Sequence, residues 1–499
     1  MSTSSFGKNF MQGVGWFFFL RVFSRIVSFV QILIVARLLE PKDFGLLGVA
    51  SLAISLMSVF SGTGYHQAIT QKKNDISEYL DTVWVVEVVR GAFLSVVIFL
   101  GAPLIAMLFK VPDADQVLKA MAFVPLLNGV ASPGLAMLNR ELRFRRLVVF
   151  QAIQSILVAI LTILVAYLLR SVWALVAAAL FGAAIASFGS FFVHPYRPGK
   201  NFDFDKAKEL WGYGRWVLAS QVLHYLFNDG DDWVVGTVLG AQSLGFYRMA
   251  YNIGNTPATE VTAVFSQVAF PAFSRIQEDL GRMRAAYLRI MQITMFLSTP
   301  ISIGIWLVAA DATSFAMGEK WMPMVASLQI LLIWGWTRSF RATIGPVLSA
   351  IGQPDKVAKF TLYKVILLAV LVMPFSLSWG IEGTSWSVVL AAIAEIPLMF
   401  QSLHKGIQIH YSDLFQAVMR PLWPALPMIA MVLLCQKILL VDSSVLLRLI
   451  VSILLGSLVY LAGSFWLDRK FGWNVVADLQ TALISNLQPL LKTFKSAPK

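Results

Sequence analysis

Arginine residues lie in pairs inside long apolar stretches of this sequence. Arg21 and Arg25 are four residues apart and would share one face of a helix. Arg338 and Arg341 are three residues apart and form a similar pair in the second half. A guanidinium offers a planar fork of N–H donors that matches phosphate oxygens. The pairs therefore predict a site for an anion. Three further basic residues are candidates for that site: Arg90, Arg248 and Lys364.

Acidic residues in apolar surroundings are fewer, and their chemistry is that of ion coupling. A carboxylate at membrane depth is costly, so it usually binds a proton, a cation or a basic partner. Glu87 lies three residues before Arg90, which also fits a simple ion pair within one helix. Asp231 and Asp232 are adjacent, and Arg248 is one candidate partner for them. The candidates for proton or sodium coupling are Asp231, Asp232, Glu87, Glu260 and Glu395.

Two tryptophans, Trp334 and Trp336, lie close to Arg338 in the sequence. Most aromatic side chains of a membrane protein contact lipid or lie at the interfaces. These two are nevertheless candidates for stacking on the rings of a sugar.

The composition describes the surroundings of these residues. Apolar residues make up 58% of the 499 positions and charged residues 13%, against about 25% charged residues in ordinary soluble domains. These proportions exclude a soluble globular enzyme and a disordered chain. Cys435 is the single cysteine, which excludes an internal disulfide and a cysteine-based metal cluster. No cofactor is expected.

Lysine and arginine together number 40, against 27 aspartates and glutamates. In a soluble protein this excess would suggest a nucleic-acid partner, but in a membrane protein the cytoplasmic loops collect lysine and arginine. With the N-terminus placed in the cytoplasm, the inner loops hold roughly three times as many as the outer loops. This bias predicts two cytoplasmic termini and no nucleic-acid partner.

The apolar stretches predict an all-α polytopic membrane protein with about 14 transmembrane helices. Residues 1–193 would form an N-terminal six-helix bundle and residues 211–403 a second one, joined by a cytoplasmic linker at 194–210. Two additional helices would follow at 404–470, and a cytoplasmic amphipathic tail at 471–499. The predicted spans are 11–36, 44–65, 80–108, 116–138, 147–169, 172–193, 211–239, 243–268, 286–309, 323–350, 361–380, 383–403, 421–440 and 445–467.

Two segments of the sequence align without a gap at an offset of 200 residues. Six predicted helices separate the copies, and an even number preserves orientation, so the halves would be parallel repeats. A fold of that kind is expected to place a substrate cavity between its halves. The identical pairs are Trp16 with Trp216, Val35 with Val235, Leu39 with Leu239, Gly45 with Gly245, Ala50 with Ala250 and Gln67 with Gln267.

Several short motifs carry a family resemblance. They lie at 36–45, 62–64, 67–71, 232–236, 239–241, 244–247, 250–251 and 270–275. These motifs resemble the polysaccharide transport branch of the multidrug/oligosaccharidyl-lipid/polysaccharide (MOP) flippase superfamily, which contains O-antigen and exopolysaccharide flippases. One departure is the double acid Asp231-Asp232, where the family pattern usually carries a single aspartate.

The resemblance implies twelve core helices in two six-helix bundles, often with two more. It implies a flippase, not an enzyme, that moves undecaprenyl-pyrophosphate-linked oligosaccharide to the outer leaflet of the bacterial cytoplasmic (inner) membrane by alternating access. The cargo would be an O-antigen or exopolysaccharide repeat unit, and protons or sodium ions would drive the transport. The partners would be this lipid-linked glycan, the membrane lipids and a polysaccharide polymerase complex.

Two other functions stay open at this point. A multidrug antiporter of the related branch exports cations, and it would need carboxylates facing its substrate. A membrane polysaccharide polymerase would need an acceptor site, usually on a sizeable outer loop, whereas every predicted loop here is short. The charges and the loops favour the flippase over both.

Overall fold

The computed structural model describes residues 23–65, 76–134, 137–138, 144–199, 201–259, 273–274 and 276–473. Within these ranges all regular secondary structure is helical. Eight helices of this part are long and apolar enough to cross a membrane. The prediction of an all-helical membrane protein is confirmed, whereas the count of about 14 spans and the arrangement in two bundles stay predictions.

The chain divides into two compact units, Met1–Gly245 and Phe246–Lys499. Helix α9 (Ala241–Gly254) begins in the first unit and ends in the second. The bundle limits expected at residues 193 and 211 stay predictions. The preceding helices are α1 (23–38), α2 (Pro41–Phe60), α3 (Ser77–Leu108), α4 (Ala114–Met121), α5 (Phe123–Val130), α6 (Phe144–Leu169), α7 (Trp173–Val193) and α8 (Phe204–Val234), which a π-helical turn at Val235–Leu239 extends.

The second unit continues with long helices joined by short connections. They are α10 (Leu280–Met317), a 3₁₀ turn (Glu319–Met324), α11 (Val325–Ala350), α12 (Pro354–Ile407), α13 (Tyr411–Met419), a 3₁₀ turn (Arg420–Leu422), α14 (Ala425–Leu434) with a π-helical extension (Cys435–Leu439), and α15 (Val445–Phe471). One apolar core of this unit includes Tyr287 and Met291 of α10, Phe340 of α11 and Leu403 of α12.

Local sequence explains where α2 begins. Glu40 and Asp43 form a reciprocal capping box, in which the Glu40 backbone N–H donates to Asp43 Oδ2 at 2.9 Å. Pro41 occupies the first helical position, where a missing N–H costs nothing. These residues belong to the motif at 36–45, which therefore has a direct structural role.

Helix α12 is a hairpin of two arms. A continuous helix of its 54 residues would be about 80 Å long, far beyond the roughly 30 Å hydrocarbon core of a bilayer. Trp379 and Gly380 leave the helical conformation, and Gly380 adopts φ 60° and ψ −139°, which residues with a β-carbon rarely tolerate. Ser376 and Thr384 are hydrogen-bonded across the break, with 2.7 Å between their hydroxyl oxygens. The first arm (354–378) and the second arm (381–407) therefore fold back on each other.

The starts of α2 and α9 pack closely through two glycines, both within the first unit. A β-carbon on Gly45 would collide with the carbonyl oxygen of Ala241, and one on Gly245 would collide with that of Pro41. Both pairs, Pro41 with Ala241 and Gly45 with Gly245, are separated by the repeat offset of 200 residues. The two contacts are thus equivalent under the repeat offset, whereas the repeat of whole bundles stays a prediction.

Candidate functional site

Helix α11 carries the arginine pair predicted for the second half of the chain, Arg338 and Arg341. Trp334 lies one turn before Arg338. Helix α12 adds Lys364 on its first arm and Glu395 on its second arm. These five residues, all in the second unit, are called the charged cluster below.

An ion pair joins Arg341 of α11 to Glu395 of the second arm. The Arg341 Nη2 atom lies 2.8 Å from Glu395 Oε2 and 3.1 Å from Oε1. The Glu395 side chain is 1% exposed and the Arg341 side chain 13% exposed. A charge that lost its partner at this burial would cost several kcal/mol. The pair therefore couples α11 to the second arm.

The other two cations of the charged cluster lie over the Trp334 ring. The Arg338 guanidinium carbon is 5.1 Å from the ring centroid and Lys364 Nζ is 5.9 Å from it, within the range of cation–π contacts. Arg338 also donates from Nη1 to Asn255 Oδ1 at 3.1 Å. Lys364 is 2% exposed, and its charge acts on Glu395. Trp334 thus orders two cations that come from different helices.

Trp334 is not available to a sugar. The residue is 1% exposed, and the Tyr251 ring packs on it with 4.7 Å between centroids and 36° between planes. The prediction that Trp334 stacks on a sugar ring is therefore wrong, because its ring is used inside the protein. Trp336 is partly buried and donates from Nε1 to Thr299 Oγ1 at 3.0 Å, and its sugar contact stays a prediction.

The charge of this site suits an anion. The charged cluster holds three cations and one carboxylate. A low-dielectric site with more cations than anions gains from a negatively charged ligand. Arg338 and Arg341 each keep part of their surface exposed. The excess of positive charge therefore suits a ligand with at least two negative charges and several oxygen acceptors.

In the first unit, Glu87 and Arg90 form the ion pair within α3 that their spacing predicts. Arg90 Nη1 lies 3.2 Å from Glu87 Oε2. The hydroxyl of Thr63 donates to Glu87 Oε1 at 2.8 Å, so the motif at 62–64 orients this carboxylate. Sequence reasoning found the motif but missed its contact, because Thr63 and Glu87 are 24 residues apart. The proposed role of Glu87 in ion coupling stays a prediction.

Four other predicted residues differ in burial. Asp231 and Asp232 are buried in α8, with exposures of 2% and 8%. Arg248 is partly buried in α9, and Arg25 is exposed in α1. Their roles stay predictions.

Two predicted residues, Arg21 and Glu260, lie outside the described residues. Among the residues that the structure does describe, no group of three or more His, Cys, Asp or Glu is placed to hold a metal ion.

The segment predicted as the cytoplasmic linker is bound to the start of α3. The Tyr196 hydroxyl donates to Asp81 Oδ1, and the Asp203 backbone N–H donates to Thr82 Oγ1 at 3.1 Å. Burial, together with the hydrogen bond to Asp81 and the charge of its carboxylate, raises the pKa of Tyr196 above its usual range. The phenol therefore stays protonated near neutral pH and keeps its donor role.

Comparison with known proteins gives a family match. A family described as polysaccharide biosynthesis protein matches residues 34–326 of the chain. The lipopolysaccharide biosynthesis protein WzxC of Escherichia coli (strain K12) is 26% identical over 389 residues, covering 76% of this chain and 78% of that protein.

Solved structures that share the fold include the following two. The lipid II flippase MurJ in an inward closed conformation has a TM-score of 0.74 at 16% identity, covering 91% of this chain and 98% of that chain. An inward-facing multidrug resistance MATE family transporter of the MOP superfamily has a TM-score of 0.61 at 17% identity, covering 77% of this chain and 94% of that chain. At these identities the likeness establishes a MOP-type fold and leaves the cargo open.

Proposed function

Because the chain belongs to the polysaccharide biosynthesis protein family, we propose that it is a flippase for lipid-linked oligosaccharide. The fold of a lipid II flippase and the similarity to WzxC support this proposal. The cargo would be an undecaprenyl-pyrophosphate-linked O-antigen or exopolysaccharide unit, and the membrane would be the bacterial cytoplasmic membrane. The chain belongs with transport proteins and is not an enzyme.

The observation that carries the substrate class is the charged cluster. A lipid-linked oligosaccharide presents a diphosphate between its lipid and its first sugar, and this group carries at least two negative charges. Arg338 and Arg341 offer planar forks of donors to phosphate oxygens, and Lys364 adds a buried positive charge. In a low-dielectric site these attractions are stronger than in water. We therefore expect the cluster to bind the diphosphate, which is common to such lipids, and not to read the sugars.

A multidrug cation antiporter is the second candidate, since a transporter of that kind shares the fold. Fold similarity does not separate the two functions, but the sign of the buried charge supports one of them. A cation site requires an excess of carboxylates, whereas the charged cluster has three cations for one carboxylate. The charge balance favours the flippase.

The transport cycle is proposed to follow alternating access. The head group would be taken up from the cytoplasmic leaflet and released at the outer leaflet while its lipid tail stays in the bilayer. Coupling to protons or sodium ions would use Glu395, Glu87, Asp231, Asp232 or Glu260. A polysaccharide polymerase complex would take the product, and both termini would lie in the cytoplasm.

Complementation of cells that lack the gene tests the proposed function. Arg338→Ala and Arg341→Ala should each lower export of the surface polysaccharide about tenfold or more, because removing one partner of a buried charged contact typically costs about 2–5 kcal/mol. Lipid-linked precursor should accumulate in the same cells. Polysaccharide is measured at the surface, and protein amounts are compared by immunoblot.

Lys359→Ala is the matched control for these variants. Lys359 is a cation of the first arm whose side chain is 75% exposed, and its removal should leave export unchanged. Full export by both arginine variants at normal protein levels would contradict the proposal. A fall in the accumulation of a cationic dye when the protein is expressed would favour the antiporter.

A further inference from the structure

We propose that Glu395 is an internal counter-ion that the substrate displaces from Arg341. In the substrate-free protein the carboxylate holds the guanidinium. When a diphosphate binds, Arg341 turns to the phosphate oxygens and Glu395 takes up a proton from water. This inference rests on the proposed function, because it requires an anionic head group at the charged cluster.

The geometry of the ion pair leaves Arg341 with unused donor capacity. Both recorded contacts with Glu395 run through one nitrogen, Nη2. Within the described part of the chain, Arg341 Nε has no hydrogen-bond partner. A guanidinium binds most strongly when two of its nitrogens face two oxygens side by side. A diphosphate has oxygens enough to engage Nε and Nη2 together, so it can compete with the carboxylate.

The same unit contains an ion pair that uses the stronger geometry. Arg448 of α15 donates from Nε to Asp311 Oδ2 at 2.7 Å and from Nη2 to Oδ1 at 2.5 Å. The Arg448 and Asp311 side chains are 26% and 16% exposed. This pair is therefore largely buried, as the Arg341–Glu395 pair is. The Arg448–Asp311 pair uses its fork fully and is structural. The Arg341–Glu395 pair uses a single nitrogen of the guanidinium, an arrangement that suits exchange.

The neighbouring charges favour this exchange. Arg341 from α11 and Lys364 from the first arm both face Glu395, and Arg338 repels Arg341 from within α11. An incoming anion relieves that repulsion. Once Arg341 has moved, Glu395 is left almost fully buried, with Lys364 held over Trp334. Burial disfavours a carboxylate that has lost its guanidinium.

The proton balance follows from the loss of the Arg341 guanidinium as the partner of Glu395. A proton from water adds to a Glu395 oxygen, Arg341 keeps its charge, and a guanidinium–phosphate contact replaces the ion pair. Of the cations that face Glu395, Lys364 then remains to oppose proton uptake. Lys364 lies over the Trp334 ring, and its charge also attracts the bound anion. Substrate binding and protonation of Glu395 are therefore linked, and acid favours both. When the substrate leaves, Glu395 releases its proton and recaptures Arg341.

Binding of undecaprenyl pyrophosphate to the full chain in lipid nanodiscs tests the exchange. Glu395→Gln should bind this lipid about tenfold more tightly than the wild type at about pH 8, because the competing carboxylate is gone. Its affinity should also change less between about pH 6 and pH 8, since Glu395 no longer titrates. The same variant should export less polysaccharide in cells, because Arg341 is not recaptured.

Two further variants keep the test decisive. Asp311→Asn breaks the structural pair, and it should leave both the affinity and its pH dependence unchanged. Arg341→Lys keeps a cation beside Glu395 but removes the fork, so binding should weaken about tenfold. Arg341→Lys tests the exchange even if the Glu395→Gln protein does not accumulate in the membrane. Its lysine keeps a cation beside the buried Glu395 carboxylate, so we expect this variant to fold.

The outcomes separate the exchange from the proposed function. Wild-type protein that binds undecaprenyl pyrophosphate, together with a Glu395→Gln variant that binds no more tightly, would overturn the exchange alone. Unchanged binding by Arg341→Lys would do the same. Wild-type protein that shows no binding at all would overturn the exchange and the proposed function together.

Discussion

Arg448 and Arg341 are both largely buried, yet carboxylates hold them in different ways. Asp311 accepts two parallel hydrogen bonds from Arg448, whereas Glu395 meets a single nitrogen of Arg341. The first geometry satisfies the guanidinium and fastens α15 to α10. The second leaves a donor unused beside two other cations. On this difference in geometry we assign the first contact to stability and propose that the second serves ligand binding.

Asp311→Asn should lower the thermal stability of the purified protein. The variant leaves Arg448 largely buried without its carboxylate, which we expect to cost about 2 kcal/mol given the partial exposure of the pair. Unfolding in detergent, followed by tryptophan fluorescence, measures the loss. Asp355→Asn is the control, since its pair with Lys359 is exposed and such pairs contribute about 0–1 kcal/mol. Equal melting temperatures for the two variants would contradict the structural role of Asp311.

Helix α12 shows how an element brings distant residues together. Its reversal at Gly380 returns the second arm along the first, so that Lys364 and Glu395 act on one site although they belong to different arms. Helix α11 supplies Arg338 and Arg341 at helical spacing against this hairpin. The charged cluster therefore depends on the turn as much as on the charged residues themselves.

Gly380→Ala should destabilise the protein by about 1–3 kcal/mol, because the glycine adopts a backbone conformation that is strained for a residue with a β-carbon. The expected result is less folded protein in membranes and a lower melting temperature. Gly101→Ala in α3 is the matched control, since a β-carbon there would meet its nearest side-chain atom at 4.0 Å and alanine is the better helix former. Normal stability of the Gly380 variant would show that the turn tolerates a side chain.

The molecule as a whole has a fold that serves more than one kind of transport. A lipid flippase and a multidrug transporter both resemble it, so the fold alone does not specify a cargo. We propose that the charged cluster does so in this chain. The C-terminal helices are part of this scaffold. Tyr460 of α15 donates from its hydroxyl to the Phe296 carbonyl oxygen of α10 at 3.0 Å, and the Arg448–Asp311 pair joins the same two helices.

The predicted orientation in the membrane can be measured with introduced cysteines. Cys435 is 5% exposed and should not react with a membrane-impermeant maleimide, so the wild type provides a silent background. Asp442→Cys, exposed in the loop between α14 and α15, should be labelled on spheroplasts. Glu278→Cys, exposed before α10, should be labelled after permeabilisation, because the lysine and arginine bias places its loop in the cytoplasm. The reverse pattern would invert the topology.

The sequence alone determined the class of protein, the family and the residue types of the site. Long apolar stretches are local properties, so composition was enough to predict membrane helices, and the motifs were enough for the resemblance. The spacing of Glu87 and Arg90 also predicted their ion pair, because both residues lie on one helix and helix geometry fixes their distance. The reversal near residue 380 was likewise visible, as a break between two apolar stretches.

The tertiary structure decided which charges meet. Arg341 and Glu395 are 54 residues apart, and the sequence assigned one to the substrate and the other to ion coupling without pairing them. Trp334 was read as a surface for sugars, but packing against Tyr251 buries it. A helix's rotation about its axis and the element packed against it decide such contacts, and both depend on the packing of the whole unit. Residue types can therefore be read along the chain, whereas partners are set by the helices that packing brings together.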